Sequence, residues 1–188
     1  MGRALDSAVV ALQHGGLVVY PTDTLVGLGA RAGDRRAVKR VLELKQRPPT
    51  TPIAISVSSL DEIEAYAELS ESARGWIRTN LPGPWTVIVR ATRRAGRRFS
   101  SPIVAADLSI GVRIPDHAIA RELARKVGPI TCTSVNRHGA PPCRTVSEAR
   151  RIFGPQVTNY VDVGAVPSGR PSTIIDLRGV LPKVRDRR

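Results

Sequence analysis

The stretch Pro21-Thr22-Asp23-Thr24-Leu25-Val26-Gly27-Leu28-Gly29 sets three consecutive oxygen-bearing side chains behind an apolar run, Leu17 to Tyr20. Pro21 has no backbone donor and suits the end of a strand, and two glycines relax the chain beyond it. The segment therefore reads as a loop able to meet a small polar ligand closely. Thr22 and Thr24 suit that role, or the plainer one of satisfying a turn's own backbone groups. Lys45-Gln46-Arg47-Pro48 places two cations at the end of a helical pattern, where they complement a helix carboxyl terminus by about 0.3–1 kcal/mol each. Arg113 stands inside an apolar strand pattern, and burying its charge requires a paired anion, either a ligand or an internal carboxylate. Ser134-Val135-Asn136 lies between an apolar run and a Gly/Pro turn.

Several familiar chemistries are excluded. Gly27-Leu28-Gly29-Ala30-Arg31-Ala32 formally fits a dinucleotide fingerprint, but residues 21–26 separate it from the strand and Gly33 interrupts the helix that should follow. No P-loop and no nucleophile elbow of the G-x-S-x-G type is present. Cys132 and Cys143 form no C-x-x-C pair and no zinc-type cluster with His14, His117 or His138, so no metal site is expected; two reduced thiols without a redox role are.

Those segments must be held by a framework, and 188 residues suffice for one domain, 1–188, that buries roughly 70% of its unfolded surface. With 41% hydrophobic and only 4% aromatic residues, the core must be mainly aliphatic. Apolar spacing predicts a first helix through Leu12, a strand at 17–20, and a helix capped by Asp34 that ends before Pro48-Pro49. A strand at 52–57, a helix opened by a Ser59/Glu62 capping box, and a helix over 70–80 follow. Next come strands at 86–90 and 110–114, joined by a mobile basic loop carrying Arg93, Arg94, Arg97 and Arg98. Asp116 heads a helix through Val127, a strand covers 129–133, a helix covers 147–153, and strands lie near 160–163, 173–177 and 182–185. This is an α/β pattern with a mixed sheet.

The charge of +13, from 29 Lys and Arg against 16 Asp and Glu, favours anionic partners or a merely solvated basic face. The apolar run at 8–12 is too short for a signal peptide or a membrane span, and Asp6 stands where myristoylation needs Ser or Thr. A cytoplasmic protein with no membrane contact is expected.

Taken in order, the Pro-Thr-Asp-Thr loop, Lys45-x-Arg47-Pro48, Pro82-Gly83-Pro84-Trp85-Thr86, Arg113-Ile114-Pro115-Asp116-His117, Thr133-Ser134-Val135-Asn136 and Pro171-Ser172-Thr173-Ile174-Ile175-Asp176 resemble the YrdC family of L-threonylcarbamoyladenylate synthases. The resemblance runs from about Leu12 to about Arg185, and is to the short form without a carboxyl-terminal extension. It implies a twisted open mixed sheet flanked by helices, with a basic concave face. It also implies synthesis of threonylcarbamoyl-AMP and pyrophosphate from L-threonine, bicarbonate and ATP, for the N6-threonylcarbamoyladenosine modification of tRNA. Mg²⁺ would arrive through ATP, and a downstream threonylcarbamoyl-transfer complex would take the product. Contact with tRNA or double-stranded RNA is a further implied partner.

By the same resemblance, Lys45 and Arg47 would be catalytic, neutralising nucleotide phosphates. Thr22, Thr24, Ser109 and Arg113 would bind threonine. Thr51, Cys132, Ser134, Asn136, Ser172 and Arg185, with Lys45 and Arg47, would bind ATP. The chain departs from the family pattern at Val26, Val135, Ser56 and Pro142, and Val184-Arg185-Asp186 departs from its usual ending. The rivals are a non-catalytic RNA-binding module of the same fold, and a carbamoyl-adenylate activity like that of the related domain in hydrogenase-maturation proteins. The intact Lys45, Arg47, Ser134 and Asn136 argue against the first; the absence of acylphosphatase and zinc-finger segments argues against the second.

Overall fold

The computed structural model describes residues 2–162 and 169–185. Helices are α1 (Gly2–Gln13), α2 (Arg35–Lys45), α3 (Leu60–Tyr66), α4 (Glu71–Asn80), α5 (Arg93–Arg98), α6 (Ala118–Val127) and α7 (Val146–Phe153). Strands are β1 (Val18–Tyr20), β2 (Gly27–Gly29), β3 (Ala54–Ser56), β4 (Ala67–Glu68), β5 (Trp85–Ala91), β6 (Ser109–Arg113), β7 (Ile130–Ser134), β8 (Asn159–Tyr160), β9 (Thr173–Asp176) and β10 (Lys183–Arg185). They join one mixed sheet in the order β10-β9-β5-β6-β3-β7-β2-β1-β8, with β4 beside β5. The pairs β1–β8, β3–β6 and β5–β9 are parallel, and the others are antiparallel.

Successive strand residues point to opposite faces, and that alternation decides where the sheet is covered. Along β1, Val18 and Tyr20 pack with Leu12 of α1 and Leu123 of α6, while Leu17 and Val19 pack with Val41 of α2 and Phe153 of α7. This half is buried on both faces. In the other half, Ile55, Val87, Val112 and Ile175 pack under Ile63 of α3, Ile77 of α4 and Ala95 of α5. Their neighbours Ala54, Thr86, Arg113 and Ile174 point the other way and line a cavity. On that face α6 packs against the Ile130 end of the sheet, and the rest of the sheet forms the floor of the cavity.

Local chemistry explains most of the boundaries. The Asp34 carboxylate accepts from the N–H groups of Arg36 and Ala37, and Ser70 caps α4 through the Ala73 N–H. Ser59 accepts from the Glu62 N–H, but the Glu62 carboxylate reaches Ser58 rather than Ser59. α2 stops at Gln46, in the left-handed region at φ 53°, before the prolines are reached.

Three expectations are corrected. Residues 27–29 are not loop but β2, between β1 and β7. Both glycines are there for space, since a Cβ on Gly27 or Gly29 would lie 3.0 or 2.8 Å from the buried ring of Tyr20. The basic stretch 93–98 is a short helix, because Thr92 caps it through the Ala95 N–H and Ala95 and Phe99 anchor it in the core. Asp116 does not head α6; His117 holds the cap position, and Asp116 pairs instead with Arg121 at 2.9 Å. β4 was not foreseen. Of the expected strand at 160–163, Val163 lies outside the described residues. Cys132 and Cys143 form no disulfide.

Candidate active site

The uncovered face of the sheet, the 21–26 turn and the end of α2 enclose a cavity of about 530 Å³, within the range of small-ligand sites. Thr22 organises the turn. Its Oγ1 donates to the Leu25 carbonyl at 2.6 Å and accepts from the N–H groups of Thr24 and Leu25. Thr24 Oγ1 lies 3.0 Å from Thr22 Oγ1 and accepts from Arg113 Nη1 at 2.7 Å. Both threonines thus shape the turn as well as line the cavity.

Arg113 is 3% exposed, and its charge is balanced inside the protein: Nη2 meets Asp23 Oδ1 at 2.5 Å. Of the two anions open to it from sequence, the structure supplies the internal carboxylate. The Arg113 Nε and Asp23 Oδ2 atoms are buried without hydrogen-bond partners among the described residues. Ser56, which pairs with Arg113 across β3 and β6, is fully buried and lies outside the cavity lining.

Lys45 is the last residue of α2 and is 3% exposed. Its ammonium donates to the Ser134 carbonyl at 2.5 Å and to the backbone and side-chain oxygens of Asn136, each at 2.9 Å. Burial, then the nearby Arg47 charge, lower its pKa to about 8. Asn136 Oδ1 also accepts from Ser134 Oγ, and its amide donates to the carbonyls of Arg137 and Ala140. The His138 N–H closes the loop onto the Lys45 carbonyl at 2.6 Å. One lysine therefore binds the end of α2 to the end of β7. Arg47 lies beyond the helix, donates to the Pro52 carbonyl at 3.1 Å and lines the cavity. Ser172 meets Thr86 at 2.8 Å on the far wall, and Cys132 forms part of the floor.

Thr22, Thr24, Lys45, Arg47, Arg113, Cys132, Ser134, Asn136 and Ser172 are thus brought to one cavity, whereas Ser109, Thr51 and Arg185 are not. Ser109 begins β6, four residues from Arg113, and donates to Asp107 at 2.6 Å. Arg185 binds Asp176 at 2.6 Å in a separate hollow shared with Arg178, where two guanidinium groups hold the Asp176 carboxyl well below the usual carboxylate range. Thr51 donates its N–H to the Pro48 carbonyl and does not line the cavity. Asp23 and Thr86 escape the sequence reading as site residues. The signal for Thr86 was its phase in β5, opposite to the core residues Val87 and Val89; Asp23 had only its place between two threonines. Val26 is buried, and its carbonyl accepts from the Val135 N–H. Among the described residues no three His, Cys, Asp or Glu side chains converge to hold a metal.

Cationic groups and a neutral hydroxyl turn around one cavity suit a ligand with both phosphate and small polar parts. The Sua5/YciO/YrdC family model, described as "Telomere recombination", matches residues 10–186. The chain belongs to this family. A relative from Chromohalobacter salexigens, named threonylcarbamoyl-AMP synthase, is 35% identical over 177 residues, covering 93% of this chain and 92% of its own. The P. abyssi Sua5 structure, complexed with L-threonine, superposes with a TM-score of 0.88 at 31% identity over 96% of this chain. This chain spans about half the length of that Sua5, 52%. E. coli YciO gives a TM-score of 0.85 at 28% identity, covering 98% of this chain and 88% of its own. The mixed sheet flanked by helices is therefore the family fold. No helix among the described residues is long and apolar enough to cross a membrane.

Proposed function

We propose that this chain is an L-threonylcarbamoyladenylate synthase, a nucleotidyltransferase joining L-threonine, bicarbonate and ATP into threonylcarbamoyl-AMP with release of pyrophosphate and water. The observation that carries the reading is the joining of the hydroxyl turn, Lys45 and Arg47 around one cavity, in a chain similar to the named synthases. The threonine amine adds to bicarbonate and loses water to give a carbamate. A carbamate oxygen then attacks the α-phosphorus, and pyrophosphate departs. No enzyme nucleophile is required. Holding three reactants together can supply roughly 7–11 kcal/mol of the barrier.

Lys45 and Arg47 stand as fixed positive partners for the phosphate charge. With three protons already directed at Ser134 and Asn136, Lys45 acts as a held charge rather than a free arm. Cys132, Ser134, Asn136 and Ser172 border the nucleotide side; Thr22, Thr24 and Arg113 border the amino-acid side. Mg²⁺ would ride on the ATP phosphates and water, its usual habit.

The product serves the N6-threonylcarbamoyl modification of tRNA in the cytoplasm, passing to separate transfer enzymes. Contact with tRNA or double-stranded RNA is favoured by the net charge of +13. Incubation of the purified protein with ATP, bicarbonate and each amino acid in turn tests the activity. Threonine-dependent pyrophosphate and an adenylate of the expected mass are the supporting result; pyrophosphate release indifferent to threonine overturns it.

A further inference from the structure

β10 ends the sheet, with β9 as its one strand partner among the described residues, so its outer edge is open there. An open edge offers unpaired N–H and C=O groups to another strand. All three residues of β10 are exposed. Val184 is 69% exposed, and Val180 and Leu181, in the turn that leads to it, are 87% and 72% exposed. Single exposed apolar residues are ordinary, but these stand together beside an open edge.

The pairing with β9 fixes which way the side chains point. Lys183 and Arg185 stand opposite Asp176 and Ile174, and both cations border the hollow that also holds Leu108 and Val180. Val184 stands opposite the core residue Ile175 and faces the other side of the sheet. An incoming strand therefore meets cations on one face and an apolar side chain on the other. Arg185, though bound to Asp176, keeps 52% of its side chain exposed. Lys183 enters no ion pair among the described residues.

Charge decides which strand suits this edge. A second copy paired antiparallel about Val184 would set Lys183 against the Arg185 of that copy, and parallel pairing would set each cation beside its own equivalent. Like charges directly opposite are destabilising in either case. Edge lysines keep copies apart in this way, yet they leave the apolar residues open to a strand of opposite charge.

We propose that β10 is a docking edge for an extended acidic segment of a partner protein. The segment adds a strand to the sheet, sets carboxylates against Lys183 and Arg185, and lays an apolar side chain against Val184. Main-chain pairing gives the affinity, and the alternation of acidic and apolar residues gives the selectivity.

Two-dimensional NMR of the ¹⁵N-labelled full chain tests this with a short synthetic peptide that alternates glutamate and valine. Two controls run beside it: lysine in place of glutamate, and N-methylation of alternate amides. The acidic peptide is expected to shift the amides of Lys183, Val184 and Arg185 most and to slow their hydrogen exchange; neither control should. Lys183→Glu should weaken the acidic peptide by about three- to tenfold, as a favourable cross-strand pair becomes a repulsive one, and should favour the lysine peptide. Val184→Ser should weaken the acidic peptide by about two- to fivefold. Thermal midpoints of both variants should match the wild type, since both side chains are exposed. Shifts centred elsewhere, on α5 for example, or equal binding of the N-methylated peptide overturn the proposal, because they show charge attraction without strand addition. Self-association of the chain alone in sedimentation velocity, with exchange protection along β10, overturns it in favour of a second copy.

Discussion

Lys45 shows how one residue answers to two demands. As a helix-end cation it would be solvated and ordinary; here it is buried, with all three protons engaged, and its pKa is lowered to about 8, by burial first and by Arg47 second. If the held charge serves the phosphates, synthesis at saturating substrates should fall as pH rises through about 8. Stability should move the opposite way. Because the folded value lies below the ordinary lysine value of 10.5, the unfolded chain binds more protons between the two, and stability gains from Lys45 as pH rises across that window. Arg47→Gln removes one cause of the lowering and should shift the titration upward. The chain has four lysines, so the ¹³Cε shift of Lys45 in selectively labelled protein reads this directly. A wild-type midpoint at the ordinary lysine value, or one that ignores Arg47→Gln, would refute the account.

At the scale of elements, the glycines of β2 answer a steric demand that can be measured. A Cβ at Gly29 would lie 2.8 Å from the Tyr20 ring, which is fully buried and tied through its hydroxyl to the Thr131 carbonyl. Gly29→Ala is expected to destabilise the fold by about 1–3 kcal/mol, the range for overpacking a core. Gly29→Ala with Tyr20→Leu should recover part of that loss; urea unfolding curves of the two proteins decide it, and a neutral Gly29→Ala would show that the ring has room. The same elements show what a sequence can and cannot disclose. Helix starts were legible where one side chain does the capping, as at Asp34 and Ser70. β2 was not, because glycine reads as freedom when its true reason is a ring from the neighbouring strand. α5 hid behind its arginines, since only Ala95 and Phe99 face the core. Most of the site was legible through short motifs, yet Asp23 and Thr86 become visible only when the sheet brings Arg113 and Ser172 beside them.

Across the whole molecule, the sheet separates two kinds of surface. Ala54, Thr86 and Arg113 look into the cavity, whereas Ile55, Val87 and Val112 look toward α3, α4 and α5. The α5 arginines therefore lie across the sheet from the proposed chemistry. The ion pairs of the described residues engage Arg74, Arg113, Arg121, Arg125, Arg178 and Arg185, and none engages Arg93, Arg94, Arg97 or Arg98. Arg94 rests over the Tyr66 ring at 5.5 Å, and Arg98 crowds Gly33, so two of the four also have packing roles. A cationic patch whose arginines make no ion pair among the described residues suits a phosphate backbone, and its contribution should show as salt dependence. Replacing Arg93, Arg94 and Arg97 with Gln, and leaving Arg98 over Gly33, is expected to weaken any tRNA association that the proposed function brings. The slope of log affinity against log salt should fall by roughly 0.7–0.9 for each phosphate that these arginines neutralise. Threonylcarbamoyl-AMP formation should be unchanged, because the cavity lies on the other face. Filter binding over a salt series, run beside the pyrophosphate assay, separates the outcomes. An unchanged slope would remove α5 from any RNA contact, and loss of synthesis in a folded variant would show that the two faces are not independent.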